Sequence, residues 1–159
     1  DSFIDPENQA EILEQGYDWV VDCIDNFRTK AALIYYCRRN KIKLLTIGGA
    51  GGMINPAKIT TTDLSKSRHD PLLSQTRRLL RQNYRFPSNL SRSFQIPCIY
   101  SPEPLIYPDE QGGTTSKKPQ GNANSGLNCA GGFGSSVAVT ASFGFTASAY
   151  VLKRLSNHA

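Results

Sequence analysis

The stretch Val20-Val21-Asp22-Cys23-Ile24-Asp25-Asn26-Phe27-Arg28-Thr29-Lys30 changes rhythm in its middle. The run from Tyr17 to Ile24 reads as a buried strand. Past Asn26 the spacing becomes helical, with Ala31, Ile34 and Tyr35 ahead of a stop at Asn40. Two carboxylates, Asp22 and Asp25, therefore fall at the carboxyl end of a strand that feeds a helix. The alternation extends to both sides. Asp5-Pro6-Glu7-Asn8 opens a helix predicted from Pro6 to Gln15 and stopped by Gly16, since aspartate accepts unpaired amides and proline is tolerated in a first turn. Ile42 to Ile47 is a second buried strand, closing on Gly48-Gly49-Ala50-Gly51-Gly52. Helix, strand, helix, strand predicts a parallel α/β sheet.

Downstream, Lys58 to Leu64 is strand-like and follows the previous strand after a short turn at Asn55-Pro56, which favours antiparallel pairing between the two. Asp70-Pro71 opens a basic helix running to about Tyr84, and Cys98-Ile99-Tyr100 reads as one more strand. Pro108 to Gly126 is polar, glycine-rich and predicted to be mobile. From Gly134 to Leu155 a closing helix carries Ala138, Ala141, Gly144, Ala147 and Ala149, small residues that permit close packing. The pattern divides into a first part, 1–56, and a second, 57–159, with a flexible loop near 107–126.

A chain of 159 residues, 39% hydrophobic, fits one domain. No apolar run approaches the ~20 residues that span a bilayer, and the first residues lack the basic and apolar blocks of a signal peptide. A soluble, cytoplasmic protein is the expectation. Cys23, Cys37, Cys98 and Cys129 never form C-x-x-C, which favours buried thiols in a reducing compartment over a disulfide framework or a zinc site. Positive charge is concentrated: Lys66, Arg68, Arg77, Arg78, Arg81, Arg85 and Arg92 share their segment with a single acid, Asp70. That segment is a candidate for polyanions.

Open parallel sheets bind ligands outside the carboxyl ends of their strands, where Asp22 and Asp25 are expected. A carboxylate there suits Mg²⁺, which takes one or two protein oxygens and fills its shell from water and phosphate. Asparagine and aspartate before a helix also serve as caps, and both roles can coexist on this turn. Gly48 to Gly52 invites a phosphate-loop reading, yet it matches neither G-x-x-x-x-G-K-[ST] nor G-x-G-x-x-G and precedes a strand rather than a helix, a pattern more often found in a tight turn. Cys129, in Asn128-Cys129-Ala130-Gly131-Gly132-Phe133, reads either as a thiolate activated at a helix amino end or as a small buried thiol.

Together, VVDCIDNFRTKAALIYYCRRNKIKLLTIGGAGGMINP (20–56), DLSKSRHDPLL (63–73), IYSPEP (99–104) and CAGGFGSSVAVTASFGF (129–145) resemble the carboxyl-terminal part of the tRNA threonylcarbamoyladenosine dehydratases. These enzymes belong to the E1-like ThiF/MoeB/HesA superfamily. The resemblance implies a Rossmann-like mixed sheet with helices on both faces, lacking the amino-terminal nucleotide-binding strands. It also implies ATP and Mg²⁺ as cofactors, tRNA as substrate, a homodimer, and a possible sulfur-transfer or carrier-protein partner. The implied reaction adenylates the threonylcarbamoyl carboxylate on a tRNA adenosine and closes a ring with release of AMP. Asp25, in the aspartate-asparagine pair, maps onto the superfamily's metal and nucleotide ligand, with Asp22 and Asn26 beside it; Cys129 is a candidate catalytic thiol. Arg77, Arg78, Arg81 and Arg85 share one side of the basic helix and are expected to meet tRNA phosphates. The glycine-rich ATP loop of these enzymes has no counterpart in the sequence, so the chain alone is expected to be inactive. The rival family that activates ubiquitin-like sulfur carriers uses two C-x-x-C zinc knuckles, which this cysteine spacing cannot build. A non-catalytic RNA-binding or dimerisation module is the alternative from another class.

Overall fold

The computed structural model describes residues 3–5, 7–109, 111–116 and 134–157. Four strands form one sheet: β1 (Val20–Asp22), β2 (Leu44–Ile47), β3 (Thr60–Asp63) and β4 (Pro97–Tyr100), in the order β1-β2-β4-β3. β1, β2 and β4 run parallel; β3 pairs antiparallel with β4, Thr61 opposite Ile99. The mixed α/β sheet expected from sequence is thus present, with one correction. The strand after the glycines does not pair with β2, because β4 lies between them. A short connection allows a hairpin but does not require one when a later strand offers its buried edge to β2.

Helices cover both faces, and the strand period of two assigns residues to each. Leu44, Cys98 and Tyr100 point toward α2 (Phe27–Arg39) and α3 (Pro71–Asn83), forming a core with Leu33, Ile34, Cys37, Leu73, Leu80 and Phe94. Leu45, Ile47 and Ile99 point the other way, against Val139, Phe143 and Ala147 of α4 (Val137–Ser156). That stripe on α4 is narrow, spaced i, i+4, i+8, and the helix leaves Val137, Phe145 and Leu152 exposed. Trp19 packs edge-on against Tyr150 with ring centroids 5.8 Å apart, joining the start of β1 to α4.

Several expected bounds are corrected: β1 is Val20–Asp22 rather than Tyr17 to Ile24, with Tyr17 and Val21 exposed, and β2 and β3 are Leu44–Ile47 and Thr60–Asp63 rather than Ile42 to Ile47 and Lys58 to Leu64, because only these residues find ladder partners. α1 covers only Gln9–Leu13 because Asp5 Oδ1 accepts the amides of Glu7 and Asn8, which makes a turn before the helix. Part of the segment expected to be mobile is a small ribbon, β5 (Tyr107–Pro108) against β6 (Thr114–Thr115), closed by Asp109 accepting the Gly113 amide at 2.6 Å. No helix among the described residues is long and apolar enough to cross a membrane.

Candidate functional site

The turn between β1 and α2 separates its two aspartates. Asp22 continues the inward face of β1 and is 2% exposed. Its Oδ2 accepts Lys30 Nζ at 2.7 Å and Thr46 Oγ1 at 2.7 Å, and its Oδ1 accepts the Ile24 amide at 3.0 Å. Asp22, expected beside Asp25 at the nucleotide site, is the anion of a buried pair, and both its oxygens accept hydrogen bonds within the fold. Asn26 is the N-cap of α2: its Oδ1 accepts the amides of Arg28 and Thr29 at 2.9 and 3.2 Å. Asp25 is exposed at the rim, and among the described residues nothing bonds to its carboxylate. It lines a cavity of about 750 Å³ beneath α4, with Val21, Cys23, Ile47 and Phe143, and a second of about 290 Å³ beside the glycine turn.

The glycine run, read from sequence as a weak phosphate-loop signal and more often a tight turn, is filled by an internal anion. Asp70, the N-cap of α3, is 1% exposed, and its Oδ1 accepts the Leu73 amide at 2.9 Å. Its Oδ2 accepts the Gly49 amide, also at 2.9 Å. A methyl group on Gly48 would overlap that Oδ2, so the glycine is required for close approach rather than for a special backbone angle. Burial pushes the Asp70 carboxyl above its ordinary range, opposed by the two amide bonds. Asp70 also lines the smaller cavity with Ser135 and Thr140. The only sequence signal for this clamp was an aspartate-proline helix start 21 residues beyond Gly49.

The four arginines do not act alike. Arg77 is half-buried and bonds to Ser67 Oγ, and burial, then the charge of Arg81, lowers its pKa. Arg81 donates to the Pro87 carbonyl at 3.3 Å and lies 5.1 Å from the centroid of the Phe94 ring. Arg78 and Arg85 are exposed, Arg85 just past the end of α3, as are Lys66, Arg68 and Arg92 nearby. Among the thiols, Cys37 and Cys98 are buried, as expected, and burial raises both, Cys37 to about 11. Cys23, expected buried, is exposed, because residue 23 continues the outward series of β1 after Val21. Its thiol pKa is raised too, by partial burial first and the Asp22 charge second. Cys129 lies outside the described residues. Among the described residues no three His, Cys, Asp or Glu side chains meet to hold a metal. Asp25 alone fits Mg²⁺ only in the manner of a nucleotide site, where phosphate and water oxygens complete the shell.

These features define a Rossmann-like α/β protein with largely apolar cavities, edged by Asp25 and Asp70, outside the carboxyl ends of its parallel strands. By sequence the chain is a close homologue of part of the tRNA threonylcarbamoyladenosine dehydratases. It is 47% identical to the dehydratase of Haemophilus influenzae over 98% of its own length and 57% of that protein's. Identity to the Escherichia coli dehydratase is 43% over 98% of the chain and 58% of the relative. A solved structure described as TcdA (CsdL) superposes with a TM-score of 0.85 at 41% identity, over 99% of this chain and 57% of that one. The E. coli enzyme solved in complex with ATP gives 0.80 at 39% identity, over 99% and 55%. The chain thus spans a little over half the length of the curated relatives it matches. No family model matches it.

Proposed function

We propose that the protein carrying this chain is an ATP-dependent dehydratase that cyclises the threonylcarbamoyl group of a tRNA adenosine. A carboxylate is a poor electrophile and hydroxide a poor leaving group. Adenylation replaces hydroxide with AMP, after which the neighbouring carbamoyl group closes the ring; the net change is loss of one water. Asp25 serves as the protein ligand to Mg²⁺, and the metal, when bound, neutralises charge on the departing pyrophosphate. Asp22 and Asn26 build the turn that presents it. Arg78 and Arg85, with Lys66, Arg68 and Arg92, meet the tRNA backbone, and free buried thiols fit a reducing, cytoplasmic setting. The reaction needs no protein thiol, in keeping with the raised pKa of Cys23.

The observation that carries this reading is the exposed Asp25 carboxylate at the rim, without a bonding partner among the described residues, in a chain 47% identical to a named dehydratase. The test is AMP release from ATP with threonylcarbamoylated tRNA. Modified tRNA and Mg²⁺ should both be required, and Asp25→Ala should abolish turnover while leaving the melting temperature and tRNA affinity unchanged. Undiminished turnover in that variant, or AMP release indifferent to the modification, refutes the assignment.

A further inference from the structure

We infer that the buried Asp22–Lys30–Thr46 network is a positioning device for Asp25, an inference that rests on the nucleotide reading above. Lys30 and Thr46 are fully buried and Asp22 nearly so. Lys30 Nζ has three acceptors, Asp22 Oδ2 at 2.7 Å, Thr46 Oγ1 at 3.2 Å and the Asp22 carbonyl at 3.4 Å. The Thr46 hydroxyl donates back to Asp22 Oδ2, so β1, β2 and α2 close one ring of hydrogen bonds.

Stability alone is a weak reason for such a ring, because well-packed apolar side chains generally match or exceed a buried ion pair. Its location supplies a better one. With Oδ2 held by Lys30 and Thr46, Asp22 is left with a fixed Oδ1, and that oxygen accepts the Ile24 amide. On the other side of Asp25, Asn26 is fixed as the cap of α2. Residues 24 and 26 are therefore each tied, and the backbone of Asp25 is held between two anchors while its exposed side chain has no bonding partner among the described residues. Lys30 sits one turn into the same helix that Asn26 caps, so α2 supplies one anchor directly and fixes the other through the Lys30–Asp22 pair. Outer groups of this kind fix the orientation of a metal-binding side chain, and their loss typically costs metal affinity about 10-fold or more.

Two sets of variants test this in the whole protein. Asp22→Leu combined with Lys30→Met removes the ring and replaces the ion pair with apolar volume. Thr46→Val removes one hydroxyl at nearly constant shape, and Thr46→Ser keeps it. Binding of Mn²⁺ in the presence of ATP is read by electron paramagnetic resonance, alongside thermal melting and amide exchange at residues 24–26. The expected result is melting close to that of the unsubstituted protein, faster exchange at the Ile24 amide, and Mn²⁺ affinity lowered about 10-fold in the double variant. Thr46→Val should lower it in the same direction, and Thr46→Ser should restore it. Unchanged Mn²⁺ affinity with faster exchange would overturn the positioning role while leaving the nucleotide reading intact. Failure of the unsubstituted protein to bind Mn²⁺ with ATP would refute the nucleotide reading and this inference with it. Should the double variant not fold, the Thr46 pair decides alone.

Discussion

Replacing Gly48 by alanine tests the clamp between the glycine turn and α3. The added methyl would overlap Asp70 Oδ2 and stand 3.0 Å from Tyr100 Cβ and 3.2 Å from Leu73 Cδ1. The carboxylate cannot withdraw freely, because Oδ1 is held by the Leu73 amide and Oδ2 by the Gly49 amide. If it turns away, the Gly49 bond is broken, and a hydrogen bond to a charged group is worth about 1.5–3 kcal/mol. If it stays, β2 and the turn must move against Tyr100 and Leu73, and overpacking of that kind costs about 1–3 kcal/mol. Either route predicts a loss of about 1–3 kcal/mol. At roughly 2–4 °C per kcal/mol for a chain of this size, the melting temperature should fall by about 2–12 °C. Calorimetry and urea unfolding measure it, and a double-mutant cycle with Asp70→Ala assigns the cause. Without the carboxylate, the cost of Gly48→Ala should shrink by at least about 0.5 kcal/mol. An unchanged melting temperature, or a cost of the same size in both backgrounds, would show that the approach of Asp70 is not what demands glycine.

Asp63, the exposed arginines and Cys23 give three further tests. Burial alone would raise the Asp63 carboxyl, but bonds from Ser65, Ser93 and the Phe94 amide outweigh it and lower the pKa. The stability this confers is full above the unfolded value of about 3.9 and is lost as pH falls through the lower folded value. Asp63→Asn should therefore be less stable at pH 7 and converge on the unsubstituted protein in acid, and parallel curves would refute the assignment. Arg78→Gln with Arg85→Gln should leave melting unchanged and reduce the salt slope of tRNA binding by about 0.7–0.9 for each phosphate no longer neutralised, whereas Arg77→Gln and Arg81→Gln should also lower stability; the reverse pattern would exchange their roles. Iodoacetamide on the native protein at pH 8 should modify Cys23 well before Cys37 and Cys98, and prompt labelling of Cys37 would mean that its buried setting is open.

The alternation of strand and helix around Val20 to Lys30 was legible because each segment's period matches the environment it enters. β1, α2 and β2 meet in parallel as that pattern requires, and α3 begins at the aspartate before its proline. What periodicity could not convey was the sheet order. The partner of β3 is β4, Thr60 pairing with Tyr100 and Asp63 with Pro97, and nothing local to Thr60 specifies a strand that far along the chain. Its position depends on the loop before it: Asp63 accepts the amides of Phe94 and Ile96 at 2.9 and 3.1 Å and so draws β4 alongside.

The same limit explains why the candidate site was only half legible. Both aspartates of the turn look alike in sequence, and strand parity alone would direct Asp22 inward while leaving its fate undecided. A buried carboxylate is tolerable only with a partner, and the partner is Lys30, whose position one turn into α2 marks it by ordinary spacing as just another helical lysine. On α3 the apolar spacing distinguishes the arginines by their surroundings. Leu72, Leu73, Thr76 and Leu80 mark the buried face, and Arg77 lies four residues past Leu73 and three before Leu80, at that face's margin. Arg78 stands outside that face and Arg85 beyond the helix end, so centring the wheel on the leucines rather than on the charges separates Arg77 and Arg81, which bond within the fold, from the exposed Arg78 and Arg85.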